Sequence, residues 1–438
     1  MIDSPYYSKT TFYSFQKVNK QKGLNFKNYE LMALRFLAKQ KLLTSKQFRN
    51  ILLSFDSSLT TQGMRNRINR LKDANVLGIR KAHTYVKNDY HKIFIKPFGV
   101  RILVELDFLS VDWLKKNTYQ YRDIRYLDHF LSIKELTVSS FIASYRYGHK
   151  AECNSPYYYK DNDMSTLMPD QVIQTNDAFI NLEIDSGSET LSTVMNKCHM
   201  YLQLAKSYRD KQFIVLFSTI DRSIPLYNNS SIVGKRRINN IKKELSKISD
   251  FHERNNMDIY VFPVTESKTW INTYFSQSKE QLDVWMKKVA DTAAQMLDVD
   301  NDLFSYTLER KRADQLYPSY LPSFIQSNDF YQLYSHSLHS HKNMLIVPML
   351  AGRVKDYYRV TYLSDLLSSQ SLLEAVDRML VVYPNEEDLL SDEIGYALTD
   401  RIYLTGLDLI MNISDEVTKD TLTYQYISPF NKKRVSFN

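Results

Sequence analysis

A chain of 438 residues, 43% hydrophobic and 24% charged, is long enough to bury the cores of two or three globular domains. No apolar stretch reaches the roughly 18 residues that a membrane helix needs, and no signal-peptide architecture opens the chain, so a soluble, cytoplasmic protein without membrane insertion is expected. Cys153 and Cys198 are too few for a disulfide framework or a zinc ribbon, and without a Gly-rich nucleotide loop ATP-driven chemistry is not expected.

The charge is unevenly spread. Met1 to Glu105 carries 13 Lys and 7 Arg against 6 Asp and Glu, so 20 − 6 = +14, whereas the whole chain is +8 and the remainder therefore sums to −6. Positive charge concentrated in one small domain attracts a polyanion, and nucleic acid is the usual one.

In chain order, residues 1–23 are polar and aromatic without period and read as a loosely held arm. Residues 24–108 follow the pattern of a winged helix-turn-helix. A helix over 29–39 carries Leu31, Leu34, Phe36 and Leu37 on one stripe, a second covers 45–53, and Thr60 or Thr61 caps a third. With Met64, Ile68 and Leu71 turned inward, the third helix leaves Gln62, Arg65, Asn66, Asn69 and Arg70 outward, side chains that read base edges or grip phosphates. Strands over 76–86 and 90–95, joined through Asn88-Asp89, form the expected β-wing, and Lys72, Arg80, Lys81 and Lys92 complete the predicted DNA-contacting set. A further helix starts at Phe98. The plainer alternatives are a solvated helix face for each arginine and protein docking for the domain. Connecting helices fill 109–145, one of them over 128–145 with Leu131, Ile133, Leu136, Val138 and Phe141.

The chemistry-bearing stretch lies in the next segment, 146–265. Strands over 171–175 and 178–182, joined by the Asn176-Asp177 pair suited to a two-residue turn with positive φ, set Asp170 across from Glu183. Alternation puts Asn181, Glu183 and Asp185 on one face of the second strand. Like charges so placed are destabilising unless a cation or another positive group compensates. A hard divalent metal, Mg2+ or Mn2+, on Asp170, Glu183 and Asp185 is one compensation; solvated or accidental acids are the plainer reading. Ser186-Gly187-Ser188-Glu189 reads as a capping box for a helix with Leu191, Val194, Cys198, Leu202 and Ala205 on its apolar stripe. Thr193, Lys197 and Tyr201, four apart on its flank, could reach back to the acids. A buried strand at 212–220, a basic helix from Lys235-Arg236-Arg237 to Phe251 and a strand at 258–264 complete the segment.

Strand, strand, helix, strand with acids at the hairpin end resembles the PD-(D/E)xK nuclease core. In that core Asp and Glu hold magnesium against the scissile phosphate and a Lys assists the attacking water. The Lys of that motif would stand where this chain has Asp185. Lys197 could supply the missing charge. The C-terminal extension, 266–438, is expected to be α/β, with strands at 343–349 and 378–383 separated by a helix at 371–376; Lys311-Arg312 and His336 to His341 carry no firm assignment. The whole is an α+β or α/β multidomain chain.

The run Phe98-Gly99-Val100-Arg101-Ile102-Leu103, the Leu127-Asp128-His129 opening, Met168-Pro169-Asp170, Leu182 to Glu189, and Lys197 with Tyr201 together resemble the plasmid replication-relaxation family, which includes MobC-type mobilisation relaxases. The similarity covers about 24–265. It implies a winged helix for origin recognition joined to a restriction-endonuclease-like domain, with DNA of a plasmid origin as partner and a homodimer or other mobilisation or replication proteins as further partners. It also implies a site of Asp170 and Glu183 with Asp185 and Lys197, the Asp185 position being acidic in the family as well. The expected activity is Mg-dependent nicking of one strand, with either water or a tyrosine, Tyr201 by spacing, as nucleophile. A non-catalytic replication initiator or transcriptional regulator with a degenerate nuclease domain is the main rival, and a protein-interaction adaptor the other.

Overall fold

The structure, a computed structural model, describes residues 12–15, 24–82, 90–116, 127–223, 231–277, 306–312, 329–335, 343–369, 376–395, 398–411, 423–428 and 431–435. It is a mixed α+β protein with several sheets. Two compact units divide the chain: Met1–Ser155 with Arg222–Asn229, and Pro156–Asp221 with Ser230–Asn438.

In the first unit, β1 (Phe12–Phe15) pairs antiparallel with β2 (Leu24–Lys27), so the segment expected to be an aperiodic arm contributes a strand. Three helices follow, α1 (Asn28–Gln40), α2 (Ser45–Phe55) and α3 (Thr61–Asp73), with the short β3 (Leu43–Thr44) before α2. Local chemistry starts each helix. Thr44 and Gln47 form a reciprocal capping box, Thr44 Oγ1 accepting from the Gln47 amide at 3.1 Å and Gln47 Oε1 from the Thr44 amide at 2.9 Å. Thr60 caps α3, its hydroxyl accepting from the Gly63 amide at 3.0 Å.

Antiparallel β4 (Leu77–Ala82) and β5 (Tyr90–Ile95) form the hairpin after α3, and β3 pairs on the far side of β5. The expected Asn88-Asp89 turn lies outside the described residues. Then come α4 (Pro97–Glu105), α5 (Val111–Lys116), α6 (Leu127–Arg146) and β6 (Glu152–Asn154). Gly99 is required where it stands, because a Cβ there would lie 2.7 Å from the Val76 carbonyl oxygen. The core joins Leu31, Leu34 and Leu37 of α1 to Phe48 and Ile51 of α2, Ile68 and Leu71 of α3, Ile93 of β5 and Leu103 of α4.

The second unit opens with α7 (Tyr158–Asp161), β7 (Gln171–Gln174), β8 (Ala178–Asp185), α8 (Leu191–Ser207), β9 (Gln212–Thr219), α9 (Ser231–Leu245), α10 (Ser249–His252), β10 (Met257–Pro263) and α11 (Val264–Ser276). Its sheet runs β10-β9-β8-β7, with β8, β9 and β10 parallel and β7 antiparallel to β8. Every residue of β8 and β9 is buried, as parallel strands packed on both faces require. The basic helix expected to reach Phe251 stops at Leu245, and the single turn of α10 replaces its end.

The same unit holds a second sheet in chain order: β11 (Tyr306–Arg312), β12 (Asp329–Ser335), β13 (Asn343–Pro348), β14 (Arg378–Tyr383), β15 (Ile402–Gly406), β16 (Thr423–Ser428) and β17 (Asn431–Val435). Its central three strands are parallel. Among the described residues the helix between β13 and β14 is α12 (Val354–Ser369), which was not expected; of the helix expected at 371–376, residues 371–375 lie outside those described, and Val376 is in neither helix nor strand. Two short helices, α13 (Glu386–Ser391) and α14 (Leu407–Met411), follow β14 and β15. Lys311-Arg312 ends β11, and residues 336–341 lie outside the description. A buried ion pair, Lys242 Nζ to Asp392 Oδ1 at 2.6 Å, and an Arg353–Asp258 pair at 2.9 Å tie the two sheets together.

Candidate active site and nucleic-acid face

The β7–β8 hairpin has the register the sequence predicts. Gln171 pairs with Leu182, so Asp170 and Glu183 are the next opposing positions. The turn is made differently from expectation: neither Asn176 nor Asp177 takes positive φ, and Thr175 closes it by donating its amide to the Ala178 carbonyl at 2.8 Å while its hydroxyl accepts from the Ala178 amide at 3.0 Å. One Ser or Thr side chain can replace the backbone geometry of a primed turn.

Glu183 is 1% exposed. Both of its oxygens are occupied: Oε1 accepts from the Tyr201 hydroxyl at 2.6 Å, and Oε2 from Lys197 Nζ at 2.9 Å. Lys197 also bonds Glu189, at 3.0 and 3.2 Å, so one ammonium serves two carboxylates. Burial, and then Asp170 nearby, push the Glu183 carboxyl up to about 7, against the opposing pull of Lys197 and Tyr201. For Lys197 burial works downward, but Glu183 and Glu189 outweigh it and hold the ammonium above its ordinary range. Burial first, and Glu183 second, lift Tyr201 well above an ordinary phenol. Asp170 Oδ2 accepts from the Ile184 amide at 2.7 Å, across the hairpin.

Asp185, two residues along the same face, has different company. Its Oδ2 accepts from Arg237 Nε at 2.6 Å and its Oδ1 from the Gly187 amide at 3.0 Å. The same guanidinium donates to the Glu189 carbonyl at 2.6 Å. Among the described residues no group of three or more His, Cys, Asp or Glu side chains gathers in a form that could hold a metal ion. The three-acid centre read from alternation is therefore not assembled: positive groups, Lys197 and Arg237, compensate the acids.

The helix that supplies Lys197 and Tyr201 starts later than expected. Thr190, not Ser186, caps α8, accepting from the Thr193 amide at 3.2 Å, and the Ser186 and Ser188 hydroxyls bond each other at 2.8 Å. Glu189, read as the acid of a capping box, is freed by that shift to bind Lys197. Thr193 turns to Thr190 rather than toward the acids. Val194, Cys198, Leu202 and Ala205 are buried as the stripe predicts.

Arg237 and Glu189 are the site residues that sequence reasoning missed. Arg237 stands beside the buried stripe Ile238, Ile241 and Leu245 of α9, a position that turns a flanking side chain back toward the sheet.

In the first unit, α3 buries Met64, Ile68 and Leu71 and exposes Gln62, Arg65, Asn66, Asn69, Arg70 and Lys72, the predicted partition. Gln62 donates to Asn66 at 2.9 Å. Arg70 is exposed yet committed inward: with Arg67 it holds the buried Glu30 carboxylate of α1, at 2.7 and 3.1 Å. On the hairpin Arg80 and Lys81 are exposed, Arg80 lies over the Phe94 ring at 5.6 Å, and Lys92 is half-buried.

The family model described as replication-relaxation matches residues 34–216. Over that span, less than half of its length, the chain is similar to that family. No curated protein and no solved structure matches it. The matched span runs from within α1 into β9, so it includes α3 and the hairpin acids with Lys197 and Tyr201, and stops short of Arg237 and the second sheet. No helix among the described residues is long and apolar enough to cross a membrane.

Proposed function

We propose that this protein recognises an origin region of a plasmid or mobile element and nicks or relaxes one strand there at a PD-(D/E)xK-like site. On this reading α1 to α3 with the β4–β5 hairpin are a winged helix-turn-helix. Gln62, Arg65, Asn66 and Asn69 face the bases, and Lys72, Arg80, Lys81 and Lys92 the backbone. Arg70 serves Glu30 instead. The supporting observation for catalysis is Glu183: a buried carboxylate beside a second acid, with a carboxyl lifted to about 7 although a shared ammonium and the Tyr201 hydroxyl oppose the shift. Perturbed buried carboxyls of this kind concentrate at reactive sites.

A divalent cation on the hard oxygens of Asp170 and Glu183 would take the place of the Lys197 ammonium at Glu183 Oε2, whereas Asp185, held by Arg237, does not join them. When bound, Mg2+ or Mn2+ on that pair would supply charge neutralisation at a scissile phosphate. The remaining work falls to the protein's own groups. Tyr201 fixes the orientation of the Glu183 carboxylate, and Lys197 presents an ammonium to negative charge developing on the phosphate. Water is the nucleophile, because the Tyr201 phenol is buried and already donates to Glu183.

Nicking of supercoiled DNA that carries the protein's neighbouring origin region, with magnesium or manganese, tests this directly. Wild type is expected to relax it and Glu183→Ala to leave it supercoiled. If neither nicks but both bind the origin, the non-catalytic initiator stands in its place. The Arg237 clamp on Asp185 favours that second reading, since it occupies the acid at the lysine position of the nuclease motif.

A further inference from the structure

Within the second unit, away from the hairpin acids, a cavity of about 470 Å3 opens between α11 and the segments at the ends of β13 and β14. That is the size of a small-molecule site. One wall is aromatic. Trp270 and Tyr274 stack at 5.3 Å with their planes 19° apart, and Tyr260 packs against Trp270 at 4.8 Å. Glu266, one turn before Trp270 on α11, shares that wall, Glu387 and Asp388 of α13 also line the space, and among the described residues no Lys, Arg or His does. Glu266 Oε2 is buried with no hydrogen-bond partner among them. Burial, with Asp221 and Glu393 close by, lifts the Glu266 carboxyl although Lys235 opposes it. Burial also pushes Asp388 up to about 6 despite its bond from Asn385.

Ring faces are the negative side of an aromatic quadrupole, and a carboxylate oxygen without a donor is a vacant acceptor, so both halves of the lining call for the same missing partner. We propose that this cavity binds an organic cation, an ammonium or guanidinium head on an apolar stem. Trp270 and Tyr274 take the stem and one face of the charge, and Glu266 and Asp388 take its donors. A nucleic-acid strand is disfavoured there because its phosphates would approach three carboxylates.

The full-length protein, titrated with choline, with arginine methyl ester and with 3,3-dimethyl-1-butanol, the neutral isostere of choline, gives the test, read by tryptophan fluorescence and by ligand-observed NMR. Saturable binding is expected for at least one cation, choline standing for a free quaternary ammonium that tests ring faces and charge, and arginine methyl ester for a basic side chain of a partner that also brings N–H donors. The neutral isostere should bind about tenfold more weakly or less. Glu266→Gln should weaken the cation by about tenfold. Thr269→Trp, which fills the cavity from its exposed rim, should abolish binding with the circular dichroism spectrum unchanged. Equal binding of the isostere would reduce the site to an apolar hole, and saturation by cytidine with failure of both cations would make it a nucleobase site. Either result, or no saturation by either cation, overturns the proposal.

Discussion

Each unit buries a glutamate, and the two are treated in opposite ways. Glu30 of α1 faces two guanidinium groups, those of Arg67 and Arg70, so positive charge is in excess around one carboxylate. Glu183 of β8 shares one ammonium with Glu189 and lies near Asp170, so negative charge is in excess. An over-neutralised acid is a fastener that pins α3 to α1. An under-neutralised one holds a standing deficit of positive charge, which a phosphate-directed cation or a proton can fill. The comparison separates stability from chemistry within a single residue type.

The largest effect that sharpens it is on nicking. Glu183→Ala should lower strand cleavage by about a hundredfold or more while origin binding stays within about twofold, measured by gel conversion of supercoiled plasmid alongside filter binding. If nicking persists, the charge deficit is not catalytic and the contrast with Glu30 loses its functional meaning. Glu30→Ala should act the other way round. It strands two guanidinium groups against the α1–α3 contact and should cost about 2 kcal/mol in denaturant unfolding, with origin binding weakened through a displaced α3 rather than a lost contact. Nicking of DNA already bound at saturation should be unchanged.

Much of the hairpin site was legible because its parts are close in sequence. The two residues between Thr175 and Ala178 are enough to set Asp170 against Glu183 even though their backbone differs from the expected turn. Helical spacing of four then aims Lys197 and Tyr201 back at Glu183. Arg237 was not legible, since its bond to Asp185 spans 52 residues and depends on how α9 settles on the sheet. The cap of α8 was misread because Ser186 and Thr190 are both good caps; Asp185 decides between them by drawing the Gly187 amide, with Gly187 at φ 81°, into its own turn. In the second unit, α12 escaped notice because its tyrosines, valines and threonine carry little helical preference, and packing against β10 and α9 decides its form.

Tyr201→Phe probes the deficit more gently. The hydroxyl bond pulls the Glu183 carboxyl down, so removing it should move that group further above about 7. If ionised Glu183 is required, the acid limb of the nicking profile, near pH 7 in wild type, should shift to higher pH, with a rate loss of about tenfold at pH 7 and little loss at pH 9. The stability consequence has a definite sign. Because the folded carboxyl is raised above its ordinary 4.5, its contribution is fully present below that value and is lost as pH rises to about 7. Wild type should therefore melt at lower temperature at pH 7.5 than at pH 5 by this group's share, and Glu183→Gln should flatten that difference.

The smallest effect concerns α3, where the comparison predicts that two neighbouring arginines differ. Arg65 is exposed and lies on the predicted reading face, whereas Arg70 is tied to Glu30. Arg65→Ala should leave unfolding within about 0.5 kcal/mol of wild type and weaken origin DNA by about tenfold. If it grips a phosphate the slope of log affinity against log salt should fall by about 1, and if it reads a base the slope should hold while discrimination against a mutated origin narrows. Arg70→Ala should lower stability first and change the salt slope little, because its charge is already spent on Glu30. Were the two variants to lose DNA affinity with the same salt dependence and no difference in unfolding, the Glu30 pair would be an incidental surface contact, and the fastener half of the contrast would have to be given up.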